Sequence, residues 1–79
     1  MTISPTDSDI ERIALEIERY LSQHSDARDT AQGIARWWLA AAHIKTDIPR
    51  VEAALESLIQ RGVVQRRKLA GGSVVYSAR

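Results

Sequence analysis

The sequence predicts a mainly α-helical fold with a small β-ribbon, in which three helices are followed by a two-stranded antiparallel hairpin. Two stretches within the first 44 residues repeat apolar side chains at helical spacing. A third such stretch starts after Asp47 and ends before Gly62. Two β-branched runs then flank the turn signal Ala70-Gly71-Gly72, which is typical of a hairpin. We therefore expect one domain that covers residues 1–79.

The first helix is predicted over residues 8–24, after a loose N-terminus at residues 1–7. Ser8 and Glu11 form a capping-box pattern, which identifies Ser8 as the N-cap. Apolar residues at helical spacing then predict the side that faces the core: Ile10, Ile13, Ala14, Ile17, Tyr20 and Leu21. The polar segment after Leu21 is poor in helix formers, so it ends the helix.

The second helix is predicted over residues 30–43, with Asp29 or Thr30 as its N-cap. Gly33 lies early in this helix, where a missing side chain permits close packing. The third helix is predicted over residues 47–61. Its signals are an N-cap at Asp47, a proline in the first turn and a left-handed glycine stop at Gly62.

The hairpin is predicted over residues 63–77, with strands from the runs 63–69 and 73–76. The inward positions of all these elements together give the predicted core, which consists of Ile13, Ile17, Leu21, Ile34, Trp38, Val51, Leu55, Leu58, Val63 and Val75.

Trp37-Trp38-Leu39 makes the second helix apolar nearly all round. Adjacent helical residues point about 100° apart, so both tryptophans cannot face one small core. Trp38 follows Ile34 by four residues and is the better core candidate. Trp37 and Leu39 then lie on exposed flanks, where we expect a partner or dimer interface. Alternatively, the N-terminal residues Ile3 and Pro5, or Tyr76 of the hairpin, fold over Trp37 within one chain.

The last half of the chain resembles the winged helix-turn-helix family of small bacterial proteins. The resemblance lies in the third helix, Gly62, Val63-Val64-Gln65-Arg66-Arg67 and Val74-Val75-Tyr76. It implies a DNA-binding transcription regulator whose third helix enters the major groove and whose wing contacts the backbone or the minor groove. It also implies a short strand at Ala27-Arg28 that pairs with the wing. The interval before the third helix is longer than in the family, so the second helix is extended or the turn is enlarged.

Charge is distributed unevenly along the chain. Residues 1–44 contain seven acidic residues against four arginines, whereas residues 45–79 contain seven basic residues against three acidic ones. The basic half suits a polyanion. The candidate DNA-binding residues are the polar and basic side chains of the third helix and hairpin: Arg50, Ser57, Arg61, Arg66, Arg67 and Lys68.

Two alternatives to DNA binding stay open. Glu52 and Glu56 on the third helix repel phosphates, which favours a protein-interaction module that uses the tryptophan-rich second helix without binding DNA. The Arg66-Arg67-Lys68 cluster is also typical of a ribbon edge protected against edge-to-edge association.

No pattern predicts an enzyme, a metal site or a cofactor. The chain has no cysteine, and its two histidines, His24 and His43, lack the spacing of metal ligands. No apolar run is long enough to span a membrane, and no targeting pattern begins the chain. We therefore expect a cytoplasmic protein whose partner is double-stranded DNA, a second copy or another protein.

Overall fold

Three helices and a three-stranded antiparallel sheet make up the part of the chain that the structure describes. The structure is a computed structural model, which describes residues 5–79 and the side chains from Asp9 onward. The helices are α1 (Pro5–Gln23), α2 (residues 31–41) and α3 (Ile48–Gln60). The strands are β1 (Arg28–Asp29), β2 (Val64–Lys68) and β3 (Val74–Ala78).

Helix α1 begins three residues earlier than predicted. Pro5 starts it, so Ser8 lies inside the helix and its prediction as the N-cap is wrong. Proline fits the first helical turn because its φ is already fixed and its missing N–H would have no partner there. Residues 5–7, predicted to be loose, are therefore helical, whereas residues 1–4 lie outside the described part. Four residues of the predicted stripe are buried: Ile13, Ala14, Ile17 and Leu21.

Helix α2 contains a π-helical turn that the sequence did not predict. Its three consecutive segments are α-helical Ala31–Gly33, π-helical Ile34–Trp38 and α-helical Leu39–Ala41. The Leu39 N–H donates to the Ile34 carbonyl, five residues back. This wider turn brings Leu39 to the same side of the helix as Ile34.

The π turn decides which apolar side chains of α2 are exposed. Leu39 is 0% exposed and Trp38 is buried beside it, whereas Trp37 is 65% exposed. The prediction that Leu39 lies on an exposed flank is therefore wrong, because that prediction assumed regular α-helical spacing. Tyr76 is itself in the core and leaves Trp37 open, while Ile3 lies outside the described residues.

The start of α2 depends on three neighbouring residues. Thr30 is the N-cap, since its Oγ1 accepts the Gly33 N–H at 3.1 Å. Asp29 fixes the backbone of this N-cap residue, because its Oδ1 accepts the Thr30 N–H at 2.8 Å. A Cβ at position 33 would overlap the Asp29 carboxylate. The close packing expected at Gly33 is thus confirmed, and its partner is Asp29.

The end of α2 is a left-handed cap on a residue other than glycine. His43 has φ 58°, and its N–H donates to the Ala40 carbonyl at 3.0 Å. The next N–H, from Ile44, donates to the Leu39 carbonyl at 3.0 Å, which completes a Schellman motif. The helix ends at Ala41, before the predicted boundary. The enlarged turn, rather than an extended helix, therefore explains the long interval before α3.

Helix α3 has the predicted caps. The Asp47 carboxylate accepts the Arg50 N–H at 3.1 Å, and Gly62 adopts φ 78° immediately after the helix. Both predictions are confirmed. The inward side of α3 packs against α1 and consists of four fully buried residues: Val51, Ala54, Leu55 and Leu58.

The sheet has three strands, so the prediction of a two-stranded ribbon is incomplete. Its order is β1-β3-β2, and both pairs are antiparallel. Strand β1 lies one residue later than the segment Ala27-Arg28 that the family resemblance implied. Paired residues share a face of a sheet. The register therefore defines an inner face, which contacts the helices, and an outer face, which is turned away from them.

The inner face of the sheet completes the core. Val64 and Tyr76 join the central cluster, and Val74 and Ala78 pack against it. Val63, predicted as core, lies one residue before β2 and packs against this cluster, but it is only half-buried. Val75, also predicted as core, is buried. The predicted core residues of the helices are all buried.

Candidate nucleic-acid interface

The exposed side of α3 is acidic. Its exposed residues include Glu52, Ala53, Glu56 and Gln60, and none of these four is basic. A DNA strand that approached this side would bring its phosphates towards two carboxylates, and like charges repel. The side of α3 that faces solvent is therefore poorly suited to enter a groove.

The candidate residues of α3 lie on its flank towards α1 or at its N-terminus. Arg61 donates from Nη2 to the Glu11 carboxylate on α1 at 2.8 Å and to the Ser57 hydroxyl at 3.1 Å. Arg50 donates from Nη1 to the Asp47 carboxylate at 3.0 Å. These ion pairs are exposed and weak, but each places an acid beside the guanidinium that a phosphate would have to reach.

The basic cluster of the hairpin is divided between the two faces of the sheet. Arg66 lies on the inner face, where its Nη1 is 3.7 Å from Oε2 of Glu56 on α3. Arg67 lies on the outer face opposite Val75, and Lys68 ends β2 next to the turn. Both are exposed, and neither has a carboxylate within ion-pair distance in the described part of the chain. Lys68 pairs with Val74 and therefore shares the inner face with Arg66.

Trp37 forms a second candidate surface. It is exposed together with Arg36, Ala40 and Ala41 of the same helix. Ala41 also lines a groove of about 320 Å³ between α1 and the end of α2, where Tyr20 stacks on Trp38 with a ring-centroid distance of 4.5 Å. Since Leu39 is buried, this surface is smaller than the predicted one and has Trp37 as its only large apolar member among these exposed residues.

One basic residue that the sequence reasoning missed lies close to the hairpin. Arg28 in β1 pairs with Ser77 of β3 and occupies the same outer face as Arg67. The implied strand at Ala27-Arg28 was the available signal. It was insufficient because the face of a two-residue strand depends on a register with residues far along the chain.

Other kinds of site have no geometric support in the described residues. They contain no group of three or more histidine, aspartate or glutamate side chains arranged to hold a metal ion. The ring of His24 is tilted by 35° against that of Tyr20, with 4.4 Å between the ring centroids, and His43 lies in the turn after α2. None of the described helices is long and apolar enough to cross a membrane.

Comparison of the chain with protein-family models, with curated proteins and with solved structures gives no match.

Proposed function

We propose that this chain is a winged-helix DNA-binding protein of the transcription-regulator type, which holds duplex DNA mainly through phosphate contacts from the β2–β3 hairpin, its wing. The observation that carries the proposal is the division of the basic residues. Arg50, Arg61 and Arg66 each have an acidic partner, whereas Arg67 and Lys68 are exposed without one in the described part of the chain.

The division between paired and unpaired basic residues supports binding through phosphates rather than through bases. Contacts to phosphates position a protein on DNA but carry no direct sequence information. Base reading requires an element in a groove, and the exposed side of α3 presents Glu52 and Glu56 instead of the arginine, asparagine or glutamine side chains that pair with bases. We therefore expect binding of modest affinity with little preference for sequence.

The salt dependence of DNA binding tests this proposal. Two phosphate contacts, from Arg67 and Lys68, contribute about −1.8 to the slope of log affinity against log salt. Affinity for a short duplex of arbitrary sequence should then fall at least about tenfold between about 50 and about 200 mM salt. Fluorescence anisotropy of a labelled duplex measures this affinity at each salt concentration. The double variant Arg67→Gln/Lys68→Gln should bind weakly and with a flatter slope.

Arg61→Gln is the matched control, because Arg61 is an exposed arginine that is already paired with Glu11. It should retain nearly the wild-type slope. A wild type that fails to bind at the lowest salt, or a double variant with unchanged affinity, contradicts the proposal.

A second candidate function is docking of a protein through Trp37, most simply a second copy of the chain. The specific observation is that this tryptophan is 65% exposed, since tryptophan is favoured at the centres of interfaces. Two-fold dimers are the commonest assemblies. Sedimentation over a wide concentration range should show self-association of the wild type that Trp37→Ala weakens. A wild type that stays monomeric throughout contradicts this function for a second copy.

A further inference from the structure

The outer face of the sheet carries two arginines and two polar side chains beside the buried Val75, and none of its paired positions is acidic. The register places five residues on it: Arg28 from β1, Gln65 and Arg67 from β2, and Val75 and Ser77 from β3. Arg28, Gln65 and Arg67 are exposed, and Ser77 is half-buried. The Gln65 side-chain amide donates to the Ser77 hydroxyl at 3.5 Å, which places two polar groups near the arginines.

The acid nearest to Arg28 in β1 is turned away from this face. Asp29 pairs with Tyr76 on the inner side, and its carboxylate accepts the Thr30 N–H against the start of α2. Arg28 itself has no ion-pair partner among the described residues. The positive charge of Arg28 is therefore available to a ligand, as is that of Arg67.

The two sides of the sheet differ in what an approaching polyanion meets. On the inner side, Arg66 is already paired with Glu56 of α3, Glu52 is exposed on the same helix, and Lys68 is confined to the last position of β2. On the outer side, the polyanion meets Arg28 and Arg67 with uncharged hydrogen-bond donors between them. Charge complementarity therefore favours approach from the outer side.

The spacing of the two arginines indicates how many phosphates they engage. Strand β3 separates β1 from β2. Arg28 and Gln65 both pair with Ser77 of β3, so they lie at the same level of the sheet, and Arg67 lies two residues further along β2. Strand spacing and rise per residue put their backbones roughly 12 Å apart. Side chains stand roughly perpendicular to a sheet, so the two guanidinium groups meet different phosphates.

We propose that the duplex DNA lies across the outer face of the sheet, where Arg28 and Arg67 each provide a phosphate contact. Lys68, which lies on the inner face by its register, is exposed at the last position of β2 and contacts a third phosphate from that end of the strand. This inference rests on the proposed DNA-binding function. Gln65 and Ser77 donate hydrogen bonds to phosphate oxygens between the arginines, a role that amide and hydroxyl side chains commonly have on DNA.

The slope of log affinity against log salt counts these contacts. Three phosphates give a wild-type slope of about −2.7 and a loss of about fortyfold between about 50 and about 200 mM salt. Arg28→Gln should reduce the slope to about −1.8, with a loss of about tenfold over the same range. Arg19→Gln, on the exposed side of α1, is the matched control and should leave the slope at the wild-type value.

An NMR titration with the same duplex locates the contact independently of any variant. Amide signals of residues 28, 65, 67 and 77 should shift more than those of residues 52–60. An unchanged slope for Arg28→Gln, an equal change for Arg19→Gln, or shifts confined to α3 overturns the outer-face placement. In those cases a flattened slope for Arg67→Gln/Lys68→Gln still supports the proposed function, whereas a wild type that does not bind overturns both.

Discussion

Leu39→Ala is expected to lower the free energy of unfolding by about 2–5 kcal/mol, because it removes a fully buried leucine from the centre of the domain. A domain of this size is stabilised by only about 5–15 kcal/mol, so the variant loses a large share of its stability. Urea unfolding followed by circular dichroism measures the change. The effect depends on the π turn, since Leu39 is buried through its position five residues after Ile34.

Trp37→Ala is the matched control for this prediction. It removes a larger side chain from the same helix, but that side chain is mostly in solvent. Its expected change is below about 0.5 kcal/mol, the usual range for surface substitutions. A larger loss for Trp37→Ala than for Leu39→Ala would mean that α2 has regular α-helical spacing and that Leu39 is the exposed residue.

Gly33→Ala is expected to destabilise the protein by about 1–2 kcal/mol, although alanine is the better helix former by about 1 kcal/mol. The new Cβ overlaps the Asp29 carboxylate, which must leave the Thr30 N–H without its acceptor. When Asp29 is already alanine, that conflict is absent. Gly33→Ala in the Asp29→Ala background should therefore stabilise the protein by up to about 1 kcal/mol.

The four proteins of this double-mutant cycle are compared by urea unfolding, and the sign of the Gly33→Ala effect is the readout. The backbone of Gly33 is helical, with φ −64°, so alanine adopts it without strain. Stabilisation by Gly33→Ala in both backgrounds would show that the Asp29 carboxylate does not occupy the space beside Gly33.

The features that the sequence predicts well are those that a few neighbouring residues determine. Asp47 precedes the first residue of α3 and Gly62 follows its end, as predicted, because an N-cap and a left-handed stop each depend on a few adjacent positions. The core residue at the start of β2 was harder to predict, since Val63 and Val64 are chemically identical and only the fold buries Val64 fully while it leaves Val63 half-buried. The π turn in α2 has no comparable local signal.

The candidate site was harder still to predict, because it depends on contacts between residues far apart in the sequence. Composition identifies the arginines, but it cannot identify which of them have partners. Arg61 meets Glu11 across 50 positions of sequence, and Arg66 meets Glu56 across the boundary between a helix and a strand. The division between paired and unpaired cations, on which the proposed function rests, therefore exists only in the folded chain.

The strand order has a consequence for how the protein folds. β3 lies in the centre of the sheet although it comes last in the sequence of elements. The β2–β3 hairpin closes through a short turn, whereas β1 pairs with β3 only after a loop that contains α2 and α3 has closed, which is slower. β1 contributes just Arg28 and Asp29 to the ladder, so it is the strand most readily released by local opening. In that opening Arg28 leaves the sheet while Arg67 stays on the intact hairpin.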